Sequence, residues 1–277
     1  MGWDFMNDVM FAFLLTLAAG LFTGIGGLIA LFSKRNNTQF LAICLSFAAG
    51  VMIYISFVEI FAKALESLEY GHGDIGYFIT TAAFFAGIAL IALIDKVIPQ
   101  HEDEVAVSLT PRTKHTALTQ QDENSLNRMG LMSALSIAIH NFPEGLVTFM
   151  AALYDPALGA AIAIAIAIHN IPEGIAIAAP IFYATGRKKK AILAAIGSGI
   201  TEPLGGLAAY FLLARALNET AFETAFGLSF AAVGGIMVYI AIHQLLPTAA
   251  KYGRHNQVMW GLFGGMAVMA LSLIAFG

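Results

Sequence analysis

The sequence predicts an all-α integral membrane protein, and its composition and patterning carry that prediction. Of the 277 residues, 58% are hydrophobic and 12% are charged, whereas soluble domains are about half apolar and about a quarter charged. Apolar runs long enough to cross about 30 Å of hydrocarbon recur along the whole chain. The runs are continuous rather than alternating, which favours helices over the strands of a membrane barrel.

Eight transmembrane helices are expected from these runs. They cover approximately residues 8–32, 40–63, 76–98, 128–152, 157–183, 191–216, 222–247 and 256–276. The longest polar segment, approximately 99–127, is expected to form a loop between the third and fourth spans. The chain 1–277 is thus treated as a single transmembrane domain.

The basic residues are distributed unequally between the two sides of the predicted membrane. Twelve of the 14 follow odd-numbered spans, namely Lys34, Arg35, Lys96, Arg112, Lys114, Arg128, Arg187, Lys188, Lys189, Lys190, Lys251 and Arg254. Lys63 and Arg215 fall on the opposite side. The positive-inside rule makes the richer side cytoplasmic, so both termini are expected outside. Cys44 is the only cysteine, which argues against a disulfide framework or a thiolate metal site.

Spans 2 and 7 share sequence. Residues 45–49 (LSFAA) recur as 228–232, and residues 50–55 (GVMIYI) match 235–240 (GIMVYI). Because these spans run in opposite directions, we interpret the chain as a 3 + 2 + 3 bundle with an inverted repeat, an architecture typical of secondary transporters. Chance similarity between apolar segments is the alternative.

A sharper repeat occupies spans 4 and 5. Residues 140–145 read HNFPEG and residues 169–174 read HNIPEG. In each copy the His and the Glu are four residues apart, so they share one helix face. Ionisable groups inside a membrane are costly and usually face the bundle interior in a functional role. Two such helices facing each other would offer Zn²⁺ and related ions a suitable ligand set, namely His140, Glu144, His169 and Glu173.

Further polar groups accompany the repeated motif. The amide oxygens of Asn141 and Asn170 can serve a second ion beside the first, with a Glu bridging the two. Glu202, before Pro203 in span 6, adds another carboxylate. Prolines inside the motif free backbone carbonyls and kink the helices. Structural hydrogen bonding and a proton relay without metal are the alternatives for these residues.

Four other residues are weaker candidates for the transport pathway. Met52 offers a thioether, although a methionine that only packs is an equal alternative. Glu59 either faces the pathway or lies at the outer interface. Asp95 is an exit-side ligand or the partner of Lys96 or another cation. His243 lines the route or hydrogen-bonds to a neighbour.

At these residues the sequence resembles the ZIP (Zrt/Irt-like) metal transporters, most closely the bacterial ZupT-like branch. The resemblance covers essentially the whole chain and rests on the two H-N-x-P-E-G copies. It implies a 3 + 2 + 3 bundle and a paired metal centre. One site would use His140, Glu144, His169 and Glu173, with Met52 from span 2. The other site would share Glu173 and would also use Asn141, Asn170 and Glu202. It also implies a bacterial inner membrane.

The function expected from the sequence is import of a divalent metal as the transported substrate. Zinc is the first candidate, and iron, manganese, cobalt and cadmium share its ligands. The expected partners are metal ions and the lipid bilayer, with a homodimer left open, and neither nucleic acid nor a resident cofactor is expected. No P-loop is present in the sequence, which argues against direct ATP drive. A metal-dependent intramembrane hydrolase and a metal sensor without flux are the alternatives to a transporter.

Overall fold

The computed structural model describes residues 2–32, 37–97, 119–216 and 219–276, and all regular structure among them is helical. The α-helices of this part of the chain are α1 (Gly2–Ile29), α2 (Thr38–Ile55), α3 (Phe61–His72), α4 (Gly76–Val97), α5 (Gln120–Tyr154), α6 (Pro156–Thr185), α7 (Lys188–Gly199), α8 (Thr201–Ala216), α9 (Glu219–Tyr239), α10 (Leu246–Tyr252) and α11 (His255–Phe276). The prediction of an all-α protein is confirmed.

Two π-helical segments join consecutive α-helices without reversing the chain. Ser56–Ile60 connects α2 to α3, and Ile240–Leu245 connects α9 to α10. Single π-helical turns inside longer helices occur frequently at functional sites. A true reversal follows α3, where Gly73 takes a positive φ of 59°, a conformation that favours glycine, and a short 3₁₀ turn leads into α4.

The described residues contain six ranges that are long and apolar enough to cross a membrane. They are Asn7–Phe32, Thr38–Lys96, Gly159–Thr185, Lys188–Phe211, Glu223–Tyr252 and His255–Ala275. The second range is 59 residues long and contains α2, α3 and α4. Helix α5 is not among the six, because polar residues such as His140, Asn141 and Glu144 lower its hydropathy. The chain is therefore a multi-pass membrane protein, and the count of eight spans stays a prediction.

The polar segment expected as a loop over 99–127 is helical from Gln120 onward. Thr119 and Asp122 form a capping box, in which the Thr119 side chain accepts from the Asp122 backbone and the Asp122 carboxylate accepts from the Thr119 backbone at 3.0 Å. Such a box satisfies backbone donors at a helix start. Helix α5 consequently begins about two turns before the predicted residue 128. Residues 98–118 lie outside the described part of the chain.

Asp122 also fastens the start of α5 to α10. Its Oδ1 lies 2.9 Å from Lys251 Nζ and accepts from the Tyr252 hydroxyl at 3.2 Å. Burial of the carboxylate opposes its ionisation, but hydrogen bonds from Thr119 and Lys251 outweigh burial and hold the pKa of Asp122 below its usual range. The contact therefore joins the two helix ends through a carboxylate that stays charged.

Close backbone contacts join α2 to α11 and α4 to α9. Small residues permit such approaches between membrane helices. Four glycines share the property that an added Cβ would collide with a carbonyl of the partner helix, namely Gly50 with Leu262, Gly265 with Phe47, Gly235 with Phe84 and Gly87 with Ala232. Each helix pair thus has a glycine on both sides of its crossing.

Candidate metal centre

The repeated motif places its polar side chains inside the protein rather than toward lipid. Seven polar residues among the predicted ligands are no more than 4% exposed, six from the motif and Glu202 from α8, namely His140, Asn141, Glu144, His169, Asn170, Glu173 and Glu202. Burying this many polar groups is costly unless hydrogen bonds or a bound ion compensate.

The histidines and glutamates of α5 and α6 pair across the two helices. His140 Nε2 donates to Glu173 Oε1 at 2.9 Å, and His169 Nε2 donates to Glu144 Oε2 at 3.3 Å. The i,i+4 spacing does place each His on the same face as the Glu of its own helix. The observed partner, however, is the Glu of the opposite helix. The two hydrogen bonds therefore hold α5 and α6 together through the motif.

The two asparagines bind backbone carbonyls of the helices that flank α5 and α6. Asn170 Nδ2 donates to the Ala19 carbonyl of α1 at 2.9 Å and also to Glu202 Oε1. Asn141 Nδ2 donates to the Ser198 carbonyl of α7 at 3.5 Å. In both amides the nitrogen donates hydrogen bonds to neighbouring helices, and the oxygen remains available to bind another group.

Several buried atoms of this cluster have no hydrogen-bond partner among the described residues. They are His140 Nδ1, His169 Nδ1, Asn141 Oδ1, Asn170 Oδ1, Glu173 Oε2 and Glu202 Oε2. An unsatisfied buried polar atom costs about 1–3 kcal/mol. The oxygens carry lone pairs, and so does each Nδ1 when Nε2 holds the ring proton. Lone-pair atoms of imidazole, carboxylate and amide are the donors that bind divalent cations.

The crossed pairs do not form a closed metal cluster as they stand. Within the described ranges, no group of three or more His, Cys, Asp or Glu side chains is arranged to hold a metal ion. His140 and His169 each use one ring nitrogen, Nε2, for a hydrogen bond to a carboxylate. An ion shared by α5 and α6 would therefore require the side chains to rotate and exchange these hydrogen bonds for metal bonds.

Helices α5 and α6 continue through the prolines of the motif. Pro143 lies inside α5 and Pro172 inside α6, which removes one backbone donor from each helix. The glycine that ends each motif permits a close approach. A Cβ at Gly145 would collide with the Glu202 carbonyl, and a Cβ at Gly174 would collide with the Thr23 carbonyl of α1. The motif therefore fixes both the side chains and the packing around them.

Asp95 and His243, two of the weaker candidates, lie together near the ends of α4 and the second π segment. Asp95 is buried, and its Oδ1 lies 3.2 Å from Arg128 Nη2 of α5. The hydroxyl of Tyr239 donates to Asp95 Oδ2 at 3.4 Å, and His243 Nδ1 lies 3.9 Å from the same oxygen. The nearest cationic partner of Asp95 is therefore Arg128, a residue that the sequence analysis used only to orient the chain.

Glu59 and Met52 form no hydrogen bond with the crossed pairs among the described residues, although the Glu59 carboxylate is near enough to His169 to interact with it electrostatically. Glu59 lies in the first π segment and forms an ion pair with Lys63, one turn later. Met52 is fully buried in the main apolar cluster of the protein. Glu59 thus has a cationic partner in Lys63, and the roles of Glu59 in the pathway and of Met52 as a ligand stay predictions.

Thr23 is a buried residue of the centre that sequence reasoning missed. Its backbone carbonyl packs against Gly174 of the α6 motif. Its hydroxyl has no hydrogen-bond partner among the described residues. A lone Thr in an apolar helix carries no signal by itself. An alignment of span 1 with span 6, as the internal repeat suggests, would have identified Thr23.

The chain is similar to a known family over most of its length. The family model for the ZIP Zinc transporter matches residues 96–273. The zinc transporter ZupT of Chlorobium chlorochromatii is 52% identical over 271 residues, covering 98% of this chain and 99% of that protein. The zinc transporter ZupT of Clostridium perfringens is 50% identical over 286 residues, covering 99% of each chain.

A more distant match extends the same similarity. The zinc transporter ZupT of Streptococcus mutans is 48% identical over 266 residues, covering 96% of this chain and 97% of that protein. Identity of this level over the whole length, together with the family model, decides the classification. The family consists of transporters and not of enzymes. The chain belongs to the ZIP zinc transporter family.

Proposed function

We propose that the chain imports divalent transition metal ions, zinc first, from outside the cell into the cytoplasm. The observation that carries this is the pair of buried, crossed His–Glu hydrogen bonds between α5 and α6, in a chain whose relatives are named zinc transporters. Fe²⁺, Mn²⁺, Co²⁺ and Cd²⁺ share these ligand types and are proposed as further cargo. The ion is the substrate and not a resident cofactor.

The proposed first ion position lies between the repeated motifs. His140 and Glu144 from α5 and His169 and Glu173 from α6 would bind the ion, with Met52 as an additional ligand. All five side chains are buried, which excludes lipid and water from the site. Two carboxylates would offset the charge of one divalent ion, and neutral imidazoles would complete its coordination.

A second ion position beside the first makes the proposed centre binuclear. It would use the free oxygens of Asn141, Asn170 and Glu202, and Glu173 would bridge the two ions through its second carboxylate oxygen. The supporting observation is that each of these oxygens is buried without a hydrogen-bond partner in the described chain. A third carboxylate, from Glu202, would offset part of the added charge.

The architecture that we propose around this centre is eight transmembrane helices in a 3 + 2 + 3 inverted repeat. In it α2–α3 and α9–α10 are equivalent, and so are α4 and α11. The glycine contacts support this, because Gly50 of α2 packs on α11 while the matching Gly235 of α9 packs on α4. The reverse contacts, Gly265 on α2 and Gly87 on α9, match as well.

The same contacts support one register for the proposed repeat. Gly265 faces the Phe47 carbonyl and Gly87 faces the Ala232 carbonyl, which supports a register in which Phe47 and Ala232 are equivalent. The sequence match of residues 45–49 with 228–232 instead aligns Phe47 with Phe230, which is two residues out of register. The π segments also recur, starting six residues after Gly50 and five after Gly235.

Alternating access would come from one group of helices moving against another. Helices α1, α5, α6 and α7–α8 contact one another through glycine–carbonyl approaches and carry the polar centre, apart from Met52. The pairs α2–α11 and α4–α9 have their own glycine contacts. We propose that motion between these groups exposes the centre to each side in turn.

The proposed location is the plasma membrane, a bacterial inner membrane, with both termini outside. The distribution of basic residues supports this orientation, and three of them, Arg187 before α7 and Lys188 and Lys189 in its first turn, are exposed. The bilayer is the other partner required. A homodimer is not needed for the site, since one chain supplies all of the proposed ligands.

Uptake into proteoliposomes tests the proposal against both alternatives. Wild type, His140→Ala and Glu173→Ala would be compared for zinc accumulation, with the exposed His255→Ala and Glu66→Ala as matched controls. We expect the controls to match wild type and both site variants to lose at least about tenfold in rate. Equal uptake by all five proteins would defeat the assignment. Zinc binding without accumulation would favour a sensor, and zinc-dependent peptide cleavage would favour a hydrolase.

A further inference from the structure

Helices α1 and α7 cross where Gly20 meets Gly199. A Cβ on either glycine would collide with the carbonyl of the other. Thr23 and Glu202 flank this crossing, because a Cβ at Gly199 would lie 3.2 Å from Thr23 Cβ and one at Gly20 would lie 3.4 Å from Glu202 Cβ. Each of the two residues follows its own glycine by three positions. Thr23 therefore occupies on α1 the place that Glu202 occupies at the start of α8.

Helices α5 and α6 make equivalent contacts with Glu202 and Thr23. Gly174 of α6 packs on the Thr23 carbonyl, and Gly145 of α5 packs on the Glu202 carbonyl. Because Gly145 and Gly174 end the two motif copies, these contacts are equivalent in the internal repeat.

The hydrogen bonds of the two motif asparagines are related in the same way. Asn170 donates to the Ala19 carbonyl and Asn141 donates to the Ser198 carbonyl, and these carbonyls lie four residues before Thr23 and Glu202. The Glu202 side chain accepts from Asn170. The equivalent neighbour of the Thr23 side chain is therefore Asn141.

The Thr23 hydroxyl does not make the bond that helical threonines usually make. The hydroxyls of Thr16, Thr148 and Thr185 each donate to the carbonyl four residues earlier, at 2.7–3.2 Å. Thr23 Oγ1 is fully buried, yet it has no partner among the described residues, and Asn141 Oδ1 is equally unpartnered. The repeat places these two oxygens on the same side of the centre, and buried oxygens without hydrogen bonds are suited to binding a cation.

We propose that the hydroxyl oxygen of Thr23 is a further ligand for the transported cation, on the Asn141 side of the centre and opposite Glu202. This inference rests on the proposed metal centre and extends it to α1. A hydroxyl adds an oxygen ligand without adding charge. The centre would then have one half with a carboxylate, Glu202 with Asn170, and one neutral half, Thr23 with Asn141.

A zinc titration of the purified full chain in detergent, against a competing chelator, tests this inference. Thr23→Val keeps the shape and removes the hydroxyl, and Thr23→Ala removes it with less bulk. We expect both to weaken zinc binding about five- to tenfold, and Thr23→Ser to stay within about twofold of wild type because it keeps the oxygen. Thr16→Val is the matched control on α1, since its hydroxyl serves the helix backbone, and it should also stay within about twofold.

Glu202→Gln separates failure of this inference from failure of the metal centre. Wild-type affinity in Thr23→Val and Thr23→Ala, together with weakened binding by Glu202→Gln, would overturn the role of Thr23 alone. Equal losses in Thr23→Ser and Thr23→Val would also overturn it, because the hydroxyl would not be the cause. A wild-type chain that binds no zinc would instead refute the proposed function.

Discussion

His140 on α5 and Glu173 on α6 are joined by a hydrogen bond of 2.9 Å, and neither side chain is exposed. The matching pair in the other direction, His169 with Glu144, has a length of 3.3 Å. The two motif copies are thus used reciprocally, each histidine with the glutamate of the other helix. This reciprocity makes the two halves of the proposed ion site equivalent.

Equivalent halves should respond alike to mutation. We expect His140→Ala and His169→Ala to weaken zinc binding by similar factors, each at least about tenfold. The measurement is zinc affinity of the purified variants by chelator competition, with His72→Ala as a control because His72 lies at the end of α3 and is exposed. Loss confined to one histidine would contradict the reciprocal site.

Gly174 should not tolerate a methyl group. In Gly174→Ala the new Cβ would collide with the Thr23 carbonyl, and we expect destabilisation of about 3 kcal/mol or more, since backbone must move. Gly197→Ala is the matched control, because open space surrounds Gly197 in the described structure and alanine favours helix by about 1 kcal/mol. Thermal unfolding in detergent measures both. A Gly174→Ala variant as stable as Gly197→Ala would refute the close approach.

The Asp95–Arg128 contact should contribute to stability. Removing the guanidinium in Arg128→Gln leaves a buried carboxylate without its cation, which we expect to cost about 1–3 kcal/mol. Adding Asp95→Asn should recover part of that loss, because the unpaired charge is removed. Unfolding midpoints of the single and double variants test this coupling, with Lys96→Gln as the control at an exposed neighbour. Strictly additive effects would show that the two groups do not interact.

The contribution of Asp122 should depend on pH. Because the pKa of Asp122 lies below its usual range in the folded protein, its contacts with Thr119 and Lys251 stabilise the fold most above the unfolded-state pKa of about 4. The stabilisation is lost as pH falls from there toward the lower folded-state pKa. We expect the gap in unfolding midpoint between wild type and Asp122→Asn to be constant from about pH 8 to 5 and to narrow below about pH 4. A gap independent of pH would contradict this.

Sequence patterns located the polar centre but not its internal pairing. Helical periodicity places residues on a face of their own helix, so it identified His140 and Glu144 as neighbours. It contains no information on how far α6 slides along α5. That position is set by contacts such as Gly130 of α5 with Ile181 of α6, which depend on backbone shape in three dimensions. Cross-helix pairing therefore needed the structure.

Other differences between the sequence-based expectations and the structure also have specific causes. Residues 120–127 are polar except for Leu126 and suggested a loop, although Thr119 and Asp122 form a capping box that is visible in the sequence. The π segment at Ser56–Ile60 was not predicted, because the apolar pattern of span 2 contains no signal for it. The partner of Asp95 was not identifiable, because Arg128 is 33 residues away and belongs to another helix.

Anomalous X-ray diffraction from crystals of the full chain grown with Zn²⁺ tests the central claim most directly. The account predicts the strongest anomalous peak between α5 and α6, within bonding distance of His140, Glu144, His169 and Glu173, at about 2.0–2.2 Å from each liganding atom. The crossed hydrogen bonds should then be replaced by bonds to the metal. A strongest peak elsewhere, with both His–Glu hydrogen bonds intact, would contradict the account.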